Sequence, residues 1–234
     1  MPNAHLNTIA PGLSPEQVNQ LDQLVDLTLD ANQRLNLTAI KDREGVASRM
    51  VLDSLTALPG LDQLNDGATV LDLGTGGGFP GLPLAIARPQ LRFTLVDATG
   101  KKADHVRSTA ESLGLSNTTV LQGRAETLGH DAKHREAYDA VVCRAVGPMN
   151  VLLELTLPLV SVAGQLLAMK GPKAEQELQD AGDALDLLGA GDVAVFDAYP
   201  DGFDNDLVIV SILKDRRTPR DYPRAPGVPK KTPL

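Results

Sequence analysis

The sequence predicts an α/β fold on a mostly parallel sheet, and three observations carry that prediction. Residues 68–81, Ala-Thr-Val-Leu-Asp-Leu-Gly-Thr-Gly-Gly-Gly-Phe-Pro-Gly, read as a strand, a glycine turn and the start of a helix. Val70, Leu71 and Leu73 leave almost no polar face, the habit of a strand buried on both sides. Strand and helix patterns then alternate down the chain, as in successive βαβ units. The last two predicted strands are separated only by turn residues, so they form an antiparallel pair. The expected architecture is a Rossmann-like, seven-stranded, mostly parallel sheet with a terminal antiparallel hairpin, preceded by an N-terminal helical segment.

Each element has its own signal. Residues 1–13 are expected to be disordered. Ser14-Pro15-Glu16-Gln17 starts a helix: Ser is the N-cap, Pro takes the first helical position and Gln completes a capping box. Val18, Leu21, Leu24, Val25 and Leu29 recur at helical spacing to about Arg34. Asp42 caps a second helix through Met50 toward Leu58, which Pro59-Gly60 should end. Strand one covers 69–73. Pro80 and Pro83 suit the first turn of the next helix, to about Arg88. Strand two is 92–96 and ends at Asp97. A helix follows over 101–113, then strand three (118–121). A polar connection (127–137) holds His130 and His134, expected to be solvated loop histidines because no third metal ligand accompanies them. Strand four is 138–143, with Arg144 at its carboxyl end, where open α/β sheets place ligands. An apolar helix (149–159), strand five (164–169) and an amphipathic helix (175–188) follow. Strands 193–198 and 207–213 close the sheet, with Asp201-Gly202 and Asp204-Asn205 in the turn between them. Five prolines at 219, 223, 226, 229 and 233 argue against helix in the tail.

Composition narrows the function. The 234 residues carry a net charge of −8, one cysteine and no tryptophan. One cysteine excludes an internal disulfide, and neither a secretory leader nor a membrane span is legible, so the expected setting is the reducing cytosol. The charge is divided. Residues 214–234 hold seven Lys/Arg and two Asp, a local +5, whereas the rest of the chain carries −13. Such a basic tail is either a solvated terminus or a contact for an acidic partner.

The glycine turn selects a cofactor. Gly76, Gly78 and Gly81 match a dinucleotide-binding pattern, which any glycine run this dense would satisfy. Asp72 lies two residues before Gly74. An acid there repels a pyrophosphate and suits a cationic ligand, which favours S-adenosylmethionine over NAD. Asp97 ends strand two, the position from which an acid reaches the ribose of a nucleotide-like cofactor. Glu126, just after strand three, suits an adenine amino group. Arg144 belongs at the site by location, while Cys143 reads as a small core residue.

The same letters resemble the RsmG (GidB) family of bacterial small-subunit ribosomal RNA guanine-N7 methyltransferases. The resemblance lies in Asn36-Leu37-Thr38, Leu52-Asp53-Ser54-Leu55, Val70 through Leu84, Val96-Asp97-Ala98-Thr99 with Lys101-Lys102, Gly123-Arg124-Ala125-Glu126, Tyr138-Asp139, Cys143-Arg144-Ala145-Val146, Lys170-Gly171 and Tyr222-Pro223-Arg224 to Leu234. It implies a class I methyltransferase fold and S-adenosylmethionine as methyl donor. It further implies methylation of guanine N7 in 16S ribosomal RNA or the small ribosomal subunit, by a cytoplasmic monomer. The cofactor residues it implies are Gly74, Phe79, Asp97, Ala98, Thr99, Ala125, Glu126 and Arg144. The implied organisation is a helical extension (1–66), a methyltransferase domain (67–213) and a basic tail (214–234). One departure is Met50, where members often have His; Arg49 is the neighbour able to substitute.

Guanine N7 offers an in-plane lone pair, so no proton must leave before it attacks and no general base is required. Alignment and desolvation would supply the catalysis. Lys41, Arg43, Arg49 and the tail cations are the expected phosphate contacts. A small-molecule methyltransferase is the alternative that the acidic body favours; an NAD-binding protein would also explain the glycines.

Overall fold

The computed structural model describes residues 3–203 and 205–234. Asp204 of the predicted turn, and residues 1 and 2 of the predicted disordered start, lie outside the described residues. The rest of that start is ordered: α1 spans Asn3–Ile9, and Leu6, Ile9 and Ala10 are buried. The expectation of disorder missed this short apolar anchor. Helix α2 (Pro15–Leu35) begins with the predicted capping box, Ser14 Oγ accepting from Gln17 N and Gln17 Oε1 from Ser14 N. The Asp42 cap starts α3 (Arg43–Val46), which widens into a π-helical stretch (Ala47–Leu52) and continues as α4 (Asp53–Leu55). This helix stops before Pro59. Thr56 Oγ1 donates to the Asp53 carbonyl at 2.6 Å, and Pro59 instead sits in the first turn of α5 (Leu58–Leu61).

The sheet alternates with helices as predicted. Its elements are β1 (Thr69–Leu73), α6 (Gly81–Ala87), β2 (Arg92–Asp97), α7 (Gly100–Ser112), β3 (Thr118–Gln122), α8 (Ala125–Leu128), β4 (Tyr138–Arg144), α9 (Met149–Thr156) and β5 (Val160–Lys170). The predicted helix 175–188 is two, α10 (Ala174–Asp180) and α11 (Gly182–Leu188), broken around the buried Ala181 with Gly182 beginning the second. Then come β6 (Ala190–Asp197) and β7 (Val208–Lys214), and one turn of helix, α12 (Val228–Lys231), in the tail. Proline was expected to exclude helix there. Pro229 falls at the start of that turn, where its missing N–H costs nothing.

The seven strands lie in the order β3-β2-β1-β4-β5-β7-β6. Only β7 runs antiparallel to its neighbours. The order reverses between β1 and β4, which pair directly through Val70–Ala140 to Asp72–Val142. That switch point opens a crevice at the carboxyl ends of these strands. Period-two alternation divides the core. Val70, Ala140 and Val142 face a cluster with Leu21, Leu24, Leu52 and Leu82, so the N-terminal helices cover one face. Leu71, Val141 and Cys143 face Leu152, Leu153 and Leu188 on the other.

The tail is folded against the body, which corrects the reading of a solvated terminus. Lys214 is fully buried and donates to Glu136 Oε1 (2.9 Å) and to the Leu157 and Val160 carbonyls. Arg224 grips the buried Glu154 with its backbone N (2.7 Å), Nε (2.9 Å) and Nη2 (2.6 Å).

Candidate functional site

The glycine turn between β1 and α6 is built from beneath. Asp72 is fully buried, and its Oδ2 accepts from Gly81 N at 2.8 Å, tying strand end to helix start. Its Oδ1 has no hydrogen-bond partner, and burial pushes the carboxyl up to about 6. Gly74, Gly76 and Gly78 have φ of 75°, 58° and 99°, which side chains resist. A Cβ on Gly76 would meet nothing nearer than the Gly74 carbonyl at 3.9 Å, so that glycine faces open space. A Cβ on Gly81 would lie 2.0 Å from Leu95 and 2.6 Å from Asp72, so that glycine is needed for close packing.

Asp97 is the second brace. Its Oδ2 accepts from Gly76 N at 3.0 Å and its Oδ1 from Thr99 N at 2.7 Å. Each carboxylate oxygen can accept two hydrogen bonds and here accepts one, so both keep a lone pair for a ribose hydroxyl. A cavity of about 220 Å³ opens beside these groups. Gly74, Ala98, Ala125 and Glu126 line it, with Leu73, Val96 and Val146 supplying apolar surface. Four of the expected cofactor residues therefore share one cavity, and Asp97 and Thr99 hold its turn. An acid-braced turn and an open glycine cradle fit S-adenosylmethionine.

Phe79 and Arg144 are not in that lining. They meet each other, with the guanidinium carbon 5.9 Å from the ring centroid. Arg144 Nη1 donates to the Arg49 carbonyl at 3.0 Å and stands 4.0 Å from Asp53 Oδ2. Burial lowers the Arg144 pKa while Asp53 and Asp72 oppose it; the side chain stays cationic. Its partners Arg49 and Asp53 both belong to the wall of a second cavity, of about 420 Å³, which also includes His5, Tyr199 and Phe203. There Tyr199 donates its hydroxyl to Asp53 Oδ1 at 2.5 Å. Burial raises the Asp53 carboxyl, against the Tyr199 hydrogen bond and the Arg144 charge.

Sequence reasoning missed this second cavity. Asp53 stood only as part of a family motif, and Tyr199 and Phe203 lay in an unremarkable turn. Met50 is 6% exposed and belongs to the core, while the adjacent Arg49 reaches the cavity wall. Arg43 is committed to Asp22 (2.7 Å) and Asp26 on α2. Of the two loop histidines, His130 is exposed as expected, with its Nε2 donating to the Pro223 carbonyl, and His134 is half-buried with its Nδ1 against the Tyr138 hydroxyl, both at 2.7 Å. No metal-binding cluster occurs among the described residues. Cys143 is fully buried and its thiol pKa is pushed far up, so it is core and no nucleophile. No helix among the described residues is long and apolar enough to cross a membrane.

This strand order with an antiparallel β7, and a glycine turn braced by Asp72 and Asp97, define a class I S-adenosylmethionine-dependent methyltransferase. Solved structures share the fold. A SAM-dependent O-methyltransferase from Thermotoga maritima matches with TM-score 0.56 at 15% identity, over 82% of this chain and 72% of its own. A precorrin-6y C5,15-methyltransferase from Geobacter metallireducens matches with TM-score 0.51 at 18% identity, over 78% and 92%. Sequence relatives are more specific. Residues 17–199 match the GidB family, described as rRNA small subunit methyltransferase G. "Ribosomal RNA small subunit methyltransferase G" of Deinococcus radiodurans is 48% identical over 216 residues, 92% of this chain and 85% of the relative. That of Leuconostoc citreum is 41% identical over 231 residues, 98% and 96%. The chain belongs to the GidB family, and S-adenosylmethionine is its methyl donor. The small-molecule and NAD alternatives fall with that assignment.

Proposed function

We propose that this enzyme methylates N7 of a guanine in 16S ribosomal RNA, in the cytoplasm and as a monomer. In this reading the 220 Å³ cavity holds the adenosine half of the donor. Asp97 takes the ribose hydroxyls, and Ala98, Ala125 and Glu126 take the adenine. Thr99 holds Asp97 in place, and Gly74 admits the backbone close to the ligand. Phe79 and Arg144 bound the methionine end, next to the second cavity, which receives the base.

When bound, S-adenosylmethionine supplies an electrophilic methyl carbon. The protein's own groups orient the acceptor. Asp53, steadied by Tyr199 and facing Arg144, is a carboxylate suited to the N1–H and 2-amino donors of guanine. Adenine lacks both donors, and a buried carboxylate facing its N1 lone pair would be repelled. Arg49 stands at the same wall for a phosphate or O6. N7 needs no deprotonation, which agrees with a site whose Tyr199 hydroxyl is held far above neutrality by burial and by Asp53. Lys41, Arg49 and exposed tail cations such as Lys231 would contact phosphates and position the RNA without selecting the base.

The observation that carries this reading is Arg144, at the carboxyl end of β4, bonded to the Arg49 carbonyl and 4.0 Å from Asp53 in the wall of the 420 Å³ cavity, in a chain of the GidB family. Labelled methyl transfer to rRNA or small subunits from a strain lacking the modification tests it. Chemical strand cleavage specific for N7-methylguanine should map one site. Label on a ribose or an exocyclic amine would overturn it.

A further inference from the structure

The last residues of the chain take a route that their composition did not foretell. After β7 they turn back toward the loop after β3 and the face carried by α9. Arg135 pins this path by donating to the carbonyls of Thr218 (2.8 Å), Pro219 (3.1 Å) and Tyr222 (2.7 Å). The Arg224–Glu154 pair and the His130 bond to Pro223 fix the next stretch. The chain end is held where Asn150 donates to the Leu234 carbonyl at 3.3 Å.

Between these anchors, Gly227, Pro229 and Lys230 form part of the wall of the 220 Å³ cavity. They line it together with Ala98, Ala125 and Glu126. Gly227 N donates to Glu126 Oε1 at 2.9 Å. Gly227 has φ of 85°, a conformation that glycine adopts without strain. Pro229 is buried and offers a rigid apolar ring.

We infer that the C-terminal segment is a working part of the cofactor site. Gly227, Pro229 and Lys230 cover the adenosine half, and the Gly227 N–H sets the Glu126 carboxylate that receives the adenine amino group. This rests on the cofactor placement proposed above. Two physical effects follow. A purine ring enclosed on a further side loses more water-exposed apolar surface on binding. A carboxylate held by a backbone N–H is already oriented, so less is lost when the ligand arrives. The basic tail thereby serves the donor as well as any RNA contact.

The test is a chain ended after Pro226, which keeps the Arg224–Glu154, Arg135 and His130 anchors and removes the wall. Calorimetric binding of S-adenosylhomocysteine and of 5′-methylthioadenosine, which lacks the amino-acid half, is measured for both chains. Both ligands should weaken by a similar factor of about tenfold, the scale of uncovering one side of a purine. The inference is overturned if S-adenosylhomocysteine binds the shortened chain within twofold of the full one. It is equally overturned if 5′-methylthioadenosine is unaffected. Should the shortened chain fail to fold, Pro229→Gly in the full chain, which removes the apolar ring from the cavity wall and leaves every anchor in place, carries the same comparison. Asp97→Asn in the full chain is the separate control: unchanged binding there would sink the cofactor placement, whatever the tail does.

Discussion

The two cavities are built by different means. The cofactor cavity rests on a backbone turn, with apolar side chains and the returning tail around it. Its glycines, its strand ends and the Asp97 brace lie within a few residues of one another in sequence or in adjacent strands. The second cavity is made of side chains brought from far apart: His5 from α1, Arg49 and Asp53 from the interrupted helix before the sheet, Tyr199 and Phe203 from the loop before β7. The first is proposed to recognise a small molecule of constant shape, for which local geometry supplies most of the cradle. The second must discriminate a base, and discrimination needs charged and hydroxyl groups converging from several elements.

This contrast sets how each side should break. The largest effect is expected from adding atoms to the backbone-built side. Gly81→Ala places a Cβ 2.0 Å from Leu95 Cδ2 and 2.6 Å from Asp72 Oδ2. It should cost about 3 kcal/mol of stability, the upper range for overpacking, and abolish S-adenosylhomocysteine binding. Gly76→Ala, with open space but positive φ, should cost only about 1 kcal/mol. Urea unfolding and calorimetry on the pair would measure the gap; equal losses would show that conformation alone governs the turn.

Removing functional groups should hurt the other side selectively. Asp53→Asn is expected to lower kcat/KM on rRNA about 100-fold, from hydrogen bonds lost to a charged acceptor, while S-adenosylhomocysteine affinity stays within about twofold. Substrates bearing inosine in place of the target guanine sharpen this. Inosine lacks the 2-amino group, so wild type should lose activity on it and Asp53→Asn should lose less. Independent, multiplying losses would reduce Asp53 to a structural role.

A smaller effect concerns pH. The Asp72 carboxyl sits at about 6, above its ordinary 3.8, because burial disfavours its charge. A raised carboxyl pKa means that the fold binds the proton more readily than the unfolded chain, so stability from this group falls as pH rises between about 4 and 6. A cationic ligand prefers the carboxylate. Affinity for S-adenosylmethionine should therefore rise between pH 5 and 7, by less than about tenfold per unit. Asp72→Asn should flatten the profile, and a profile that stays steep in that variant would place the titration elsewhere.

The smallest expected change is at the surface. Lys41→Ala or Lys231→Ala should weaken rRNA binding only several-fold and reduce the salt slope by a little under one each. No change in slope would remove that lysine from the RNA footprint.

The division between legible and hidden follows the range of the interactions. Period-two strands, the Ser14 cap, the glycine turn and the acid at Asp97 are decided by neighbours a few residues away, and all could be read directly. The failures were equally physical. A basic, proline-rich stretch looked solvated because composition does not reveal that Lys214 and Arg224 meet the half-buried Glu136 and the buried Glu154. Leu6 and Ile9 looked stray until the sheet offered them a face.

By itself the sequence determined the fold class, the strand sequence, the donor's charge and the residues bracing its turn, because these follow from local propensity and from chemistry along one crossover. Only the tertiary structure decided that Asp53, Tyr199 and Arg144 converge and that Gly227 returns to Glu126. Those meetings span separations of 91 to 146 residues, and at that distance it is packing of the whole core that sets position.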